Sequence, residues 1–89
     1  MSKAETKRLL AEVEGWKEKD KKLHKTVTFP DFRAAMAFVN RVADVAESEG
    51  HHPDFCVHYN RVDFTLWTHA IRGLSENDFI LAAKLDALR

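Results

Sequence analysis

The sequence predicts an α+β fold: a four-stranded antiparallel sheet with helices packed on one face, in the order α-β-β-α-β-β-α. Three observations carry that expectation. Residues 31–49 hold an apolar stripe at helical spacing, opened by Asp31 and closed by Gly50. The runs 54–59 and 62–69 alternate apolar with polar residues around Asn60-Arg61, the mark of a hairpin. Ser75-Glu76-Asn77-Asp78 reads as a capping box that opens a last helix. The 89 residues are expected to form one domain over 1–89.

Taken in order, residues 3–13 set Leu9, Leu10 and Val13 on a polar background and read as a short amphipathic helix, stopped by Gly15. Trp16–Lys19 and Leu23–Phe29 read as two strands about a lysine-rich turn, Val27 and Phe29 alternating with Thr26 and Thr28. Asp31 is the N-cap of the long helix. Phe32, Ala35, Met36, Val39, Val42, Ala43 and Ala46 form its stripe, and Phe38 and Val45 widen the apolar surface sideways. A helix apolar on more than one face is expected to cover the sheet and something else. Gly50 stops it, and Pro53 drives His52 to an extended backbone.

With Asn60-Arg61 as a two-residue turn, Tyr59 faces Val62, Val57 faces Phe64 and Phe55 faces Leu66. These six line the expected core face. Cys56 then faces Thr65, Asp54 faces Trp67 and His58 faces Asp63. The same register carried further puts His52 opposite His69, and directly opposed Cβ atoms lie about 4.5–5.5 Å apart. Val62–His69 is read as an edge strand that invites pairing with another chain. Phe79, Ala82, Ala83, Leu85 and Leu88 supply the apolar face of the last helix.

Composition narrows the function. With 14 basic and 14 acidic residues the formal charge is zero, so there is no electrostatic footprint for nucleic acid. No apolar run approaches the roughly 20 residues of a membrane span. The single cysteine, Cys56, leaves no internal disulfide framework and suits a reducing compartment. The N-terminal residues show neither a signal-peptide core nor a transit-peptide composition, so a cytoplasmic protein is expected.

The candidate chemistry lies in the histidines, whose charge changes near neutral pH. His51 and His52 taken alone read as polar loop residues. Their expected convergence with His69, beside Glu47 and Asp78, reads as a proton-transfer site. Glu47 is most simply a solvated helix residue, but one helical turn before His51 it can reach the same place. Asp78 caps its helix and can orient a histidine as well. Trp67, two residues before His69 on the same strand face, can stack on a flat heterocycle. His58 reads as a surface partner of Asp63, and His24 as structural or solvated. Three histidines and a carboxylate suffice for zinc. The spacing is unlike a zinc motif, however, and no metal is expected. Cys56, in mid-strand, lacks the partners of a nucleophile.

The ordered set Glu47, His51-His52-Pro53, Tyr59, His69 and Asp78 resembles the pterin-4a-carbinolamine dehydratases. So do Gly15-Trp16, Phe29, Phe32, Val42-Ala43, Thr68-His69 and Gly73-Leu74-Ser75. The resemblance implies a lyase in tetrahydrobiopterin recycling. It removes the hydroxyl of a 4a-hydroxytetrahydropterin as water and leaves a quinonoid dihydropterin, with no metal or organic cofactor. It implies His51, His52 and His69 as the catalytic set, Glu47 and Asp78 in support, and Gly50-His51-His52 and Trp67-Thr68-His69-Ala70 against the pterin. Gly50 stands where many members carry aspartate. Trp67 is bulkier than the small residue of vertebrate members. Vertebrate members also serve as dimerisation cofactors of a transcription factor, so an interaction module is the alternative. The resemblance further implies a homodimer by sheet extension, or a homotetramer through the long helices.

Overall fold

The computed structural model describes residues 1–88. Its order is α1 (Lys3–Leu10), β1 (Lys17–Lys19), β2 (Lys22–Thr28), α2 (Phe32–Glu49), β3 (Asp54–His58), β4 (Arg61–Leu66), a 3-10 turn (His69–Ile71) and α3 (Glu76–Ala87). The α+β class and the order of elements are those expected from the sequence. The antiparallel sheet runs β1-β2-β4-β3. Val62–His69 is therefore not an edge: β4 sits between β2 and β3, and the free edges belong to β1 and β3.

Helix α1 is shorter than expected and starts in a capping box between Ser2 and Glu5. Hydrogen bonds from the Ser2 backbone and hydroxyl hold the Glu5 carboxyl below the usual carboxylate range. Asp20 and Lys21, both at positive φ, make the tight β1–β2 turn. Trp16 lies outside β1 and is buried. Its Nε1–H donates to Asp86 Oδ1 at 3.0 Å, and the Lys25 ammonium donates to the same oxygen at 2.7 Å. This clamp ties the entry to the sheet to the end of α3.

Asp31 caps α2 by accepting the Ala34 N–H at 2.8 Å. The face of α2 turned to the sheet is Ala35, Phe38, Val39, Val42 and Ala46. The expected stripe is thus rotated. Phe38 is core, in ring contact with Phe29 and Phe64 at 5.1 and 5.9 Å. Val45 packs on the core edge, whereas Phe32 and Ala43 are exposed. On α3, Phe79, Leu81, Ala82 and Leu85 are buried and Ala83 is exposed, so Leu81 takes the place expected for Ala83. Fully burying a leucine or valine contributes about 1.5–3 kcal/mol, and Leu23, Val62, Leu66, Leu81 and Leu85 supply much of that term.

The β3–β4 register is two residues away from the expected one. Val57 pairs with Val62, Phe55 with Phe64, Cys56 with Asp63, Asp54 with Thr65 and His58 with Arg61. The turn is Tyr59-Asn60, with Tyr59 at φ 53°. Tertiary contacts explain why an unfavourable residue takes that place. Asn60 Nδ2 donates to the Phe29 carbonyl at 3.0 Å, and the Phe29 N–H donates to the Asn60 carbonyl at 2.8 Å, pinning the turn to the end of β2. An even shift keeps every side chain on its face. Val62, Phe64 and Leu66 are accordingly buried, but Phe55 and Tyr59, on the edge strand and its turn, are exposed. The ladder ends at Asp54–Thr65, so His52 does not pair with His69. Beyond Leu66 the chain makes a bridge between Thr68 and Gly73 and folds into the 3-10 turn.

Candidate active site

Two helix ends build the site. At the end of α2, Gly50 takes the left-handed conformation at φ 64°. Its N–H bonds to the Glu47 carbonyl at 3.3 Å and the His51 N–H bonds back to the Ala46 carbonyl at 3.2 Å, a Schellman closure. A side chain at position 50 would meet nothing within 4 Å, so glycine answers to the backbone there and not to space. The closure turns His51 back beside the start of α3. There, Asp78 stands at the third helical position and accepts the Ser75 N–H at 2.9 Å.

Asp78 is the hub. Its side chain is 0% exposed. Oδ2 accepts from Ser75 N–H and from the Thr68 hydroxyl, each at 2.9 Å, and Oδ1 meets His51 Nε2 at 2.6 Å. The protons can be counted. A carboxylate only accepts, so the hydrogen of this bond sits on His51 Nε2, and the neutral imidazole held in this way has its lone pair on Nδ1. The Thr68 hydrogen goes to Asp78, so the Ser75 hydroxyl, 2.7 Å from Thr68 Oγ1, donates to Thr68. Among the described residues no buried side-chain nitrogen or oxygen lacks a partner.

The other candidates lie around this hub at the surface. Glu47 reaches His52 and not His51: Oε2 is 3.1 Å from His52 Nε2, in a pair whose side chains are 62% and 79% exposed. His69 and Ala70 are exposed on the 3-10 turn. The His69 ring stacks on Trp67 with centroids 3.9 Å apart and planes at 28°. Trp67 and His69 belong to the same segment as Thr68, which joins them to Asp78. His52 and His69 are therefore not joined through the hairpin register, and the buried Asp78 carboxylate links His51 to Thr68, the neighbour of His69. His58 keeps Asp63 as a surface partner at 3.4 Å, now diagonally across the hairpin. His24 Nε2 lies 3.3 Å from the Lys19 carbonyl.

Sequence reasoning missed the hydroxyls. Ser75 was visible only as a helix cap, and Thr68 was expected against the pterin but not as a partner of Asp78. The available signal was the capping box itself, which leaves one oxygen of Asp78 free. Among the described residues no group of three or more His, Cys, Asp or Glu side chains is arranged to hold a metal ion. A depression of about 990 Å³ among α1, the β1–β2 turn and residues 71–74 is lined by none of the histidines. The candidate histidines lie outside it, His52 and His69 exposed and His51 partly buried.

The fold is a small α+β domain in which one imidazole, that of His51, meets a buried carboxylate. The sequence profile of the family described as Pterin 4 alpha carbinolamine dehydratase matches residues 1–88, and the chain belongs to that family. A Thermomicrobium roseum protein carrying the family's name is 50% identical over 90% of this chain and 86% of its own. The Arabidopsis thaliana protein named pterin-4-alpha-carbinolamine dehydratase 2, mitochondrial, is 48% identical over 100% of this chain and 50% of its own. A Brucella melitensis crystal structure, described as a transcriptional coactivator/pterin dehydratase, superposes with a TM-score of 0.94. It is 34% identical, over 99% of this chain and 96% of that one. A pterin dehydratase-like protein described as a RuBisCO assembly factor in the alpha-carboxysome is similar at a TM-score of 0.68 and 27% identity, over 82% and 84% of the two chains.

Proposed function

We propose that this protein is a lyase that dehydrates a 4a-hydroxytetrahydropterin to a quinonoid dihydropterin and water, by histidine acid–base catalysis and without a metal. The observation that carries the reading is the 2.6 Å contact between His51 and the wholly buried Asp78. It holds one tautomer and leaves Nδ1 free for a substrate. In the reaction the C4a–O bond breaks and the oxygen leaves as water, taking a proton from an imidazolium. A ring N–H gives its proton to a neutral imidazole, and its electron pair forms the new C=N bond. His51, with its Nδ1 lone pair, takes that proton. His52, beside Glu47, or His69, on the turn, supplies the other. Gly50, Trp67, Thr68 and Ala70 line the place where the flat ring lies.

The test is direct dehydration of enzymatically generated carbinolamine by chelator-treated protein. The expected result is a rate above the spontaneous one. Activity lost on chelation and restored by stoichiometric zinc would overturn the metal-free scheme.

We further propose self-association. The exposed edge of β3, the exposed Phe55 and Tyr59, and the exposed Phe32 on the free side of α2 support it. A small domain also gains by burying such surface between copies. A monomer mass by light scattering at micromolar concentration, with full activity, would refute it. An interaction role beside catalysis is the second reading, favoured by the description of the Brucella melitensis relative as a coactivator. Among the described residues no helix is long and apolar enough to cross a membrane. A cytoplasmic location remains part of this proposal.

A further inference from the structure

Trp67 is held by contacts that the proton-transfer scheme does not use. Its Nε1–H donates to Asp54 Oδ2 at 3.1 Å, and the Lys22 ammonium lies 4.4 Å from the centre of its ring. Asp54 and Lys22 belong to β3 and β2, the strands on either side of β4, and Trp67 directly follows the last residue of β4. Asp54 pairs with Thr65, so Trp67 is its diagonal neighbour on the same face. Lys22 precedes Leu23, which pairs with Leu66. His69, in contrast, sits on an exposed turn. Among the described residues its side chain makes no hydrogen bond, and its ring contact is the stack on Trp67.

We propose that Asp54 is a positioning residue for His69, acting through Trp67. An exposed histidine without partners samples several rotamers, and a stack on a fixed ring removes that freedom. The indole is itself free to turn about its second torsion unless something holds its edge. Asp54, whose backbone is locked in the β3–β4 ladder, holds it, and Lys22 packs on the ring. The order of the sheet is thereby passed to the imidazole. With a histidine and an ammonium already on it, Trp67 borders the place where the flat ring lies through the His69 it supports, not by stacking on the substrate itself. The inference rests on the dehydratase reading above.

The test uses Asp54→Ala, Asp54→Asn, Trp67→Phe and the double variant Trp67→Phe with Asp54→Ala. Asp54→Ala is expected to lower kcat by roughly fivefold to tenfold, the scale of the net contribution of one solvent-accessible hydrogen bond, with KM little changed. Asparagine still accepts the indole N–H, so Asp54→Asn recovers most of that loss. Phenylalanine has no N–H to give, so the double variant is no slower than Trp67→Phe alone. Losses that multiply, losses carried by KM, or an Asp54→Asn variant as slow as Asp54→Ala would each overturn the proposal. The stack has a readout free of activity. The emission difference between the parent and Trp67→Phe isolates Trp67, and His69→Gln must alter it. An unaltered emission refutes the stack. A parent protein with no dehydratase activity refutes only the reading beneath.

Discussion

Asp78→Asn keeps the shape of the buried hub and changes what its atoms can do. Two donors, Ser75 N–H and the Thr68 hydroxyl, converge on Oδ2 at 2.9 Å each, so the amide carbonyl must take that place. The amide NH₂ then faces His51 Nε2, where the carboxylate oxygen lay at 2.6 Å. Two N–H groups cannot share that bond. The imidazole proton moves to Nδ1, and the lone pair that served as base is lost. One positioned acid–base group contributes about 10²- to 10⁴-fold, so turnover should fall by at least about 10²-fold. The fold should survive. Three charge-assisted hydrogen bonds become neutral ones, and the negative charge at the start of α3 disappears, together about 1–2 kcal/mol. At roughly 4–8 °C per kcal/mol for a domain of this size, Tm should drop by roughly 5–15 °C. Dehydration kinetics at room temperature, a circular-dichroism melt and the imidazole nitrogen shifts by NMR read the three effects separately. A lowered Tm with turnover within about threefold of the parent would restrict Asp78 to helix capping. A His51 ring still protonated on Nε2 would refute the tautomer argument.

The remaining predictions address the other histidines, the helix faces and the clamp. His51→Ala and His52→Ala should each lose about 10²-fold in rate, with effects that do not multiply. His24→Ala and His58→Ala, at polar surface positions, should stay within about 0.5 kcal/mol in stability and keep their activity. A His58→Ala variant as damaged as His52→Ala would place the site on the wrong face. Phe38→Asp buries a charge among Phe29 and Phe64 and should abolish folding, seen as a lost cooperative melt. Phe32→Asp should fold and, if α2 faces associate, reduce the mass in light scattering. A folded, dissociated Phe38→Asp protein would overturn this assignment of faces. Asp86→Ala removes the acceptor of Trp16 Nε1–H, the Lys25 ammonium and the Glu14 N–H. It should cost about 2–3 kcal/mol, or roughly 10–20 °C in Tm, with activity per folded molecule unchanged. Unaltered melting would show that the clamp contributes nothing.

Local chemistry was enough to determine the elements and their order. The Asp31 cap, the Gly50 stop, the alternation about the β3–β4 hairpin and the capping box at Ser75 act within a few residues of themselves, so they can be read along the chain. The ordered histidines and carboxylates likewise pointed to the family. Tertiary structure decided the rest. The hairpin turn moved from Asn60-Arg61 to Tyr59-Asn60 because both backbone polar groups of Phe29, distant in sequence, bind Asn60, one to its side-chain amide and one to its carbonyl. The buried side of α2 turned to include Phe38 because sheet and α3 together choose a helix face, while the sequence offered apolar residues on more than one. The site followed the same rule. Asp78 could be read as a cap from its spacing to Ser75, but its second role needs His51 delivered by the end of α2 and Thr68 by the end of β4. Three segments meet at one carboxylate, and that meeting is a property of packing, which no spacing along a single chain encodes.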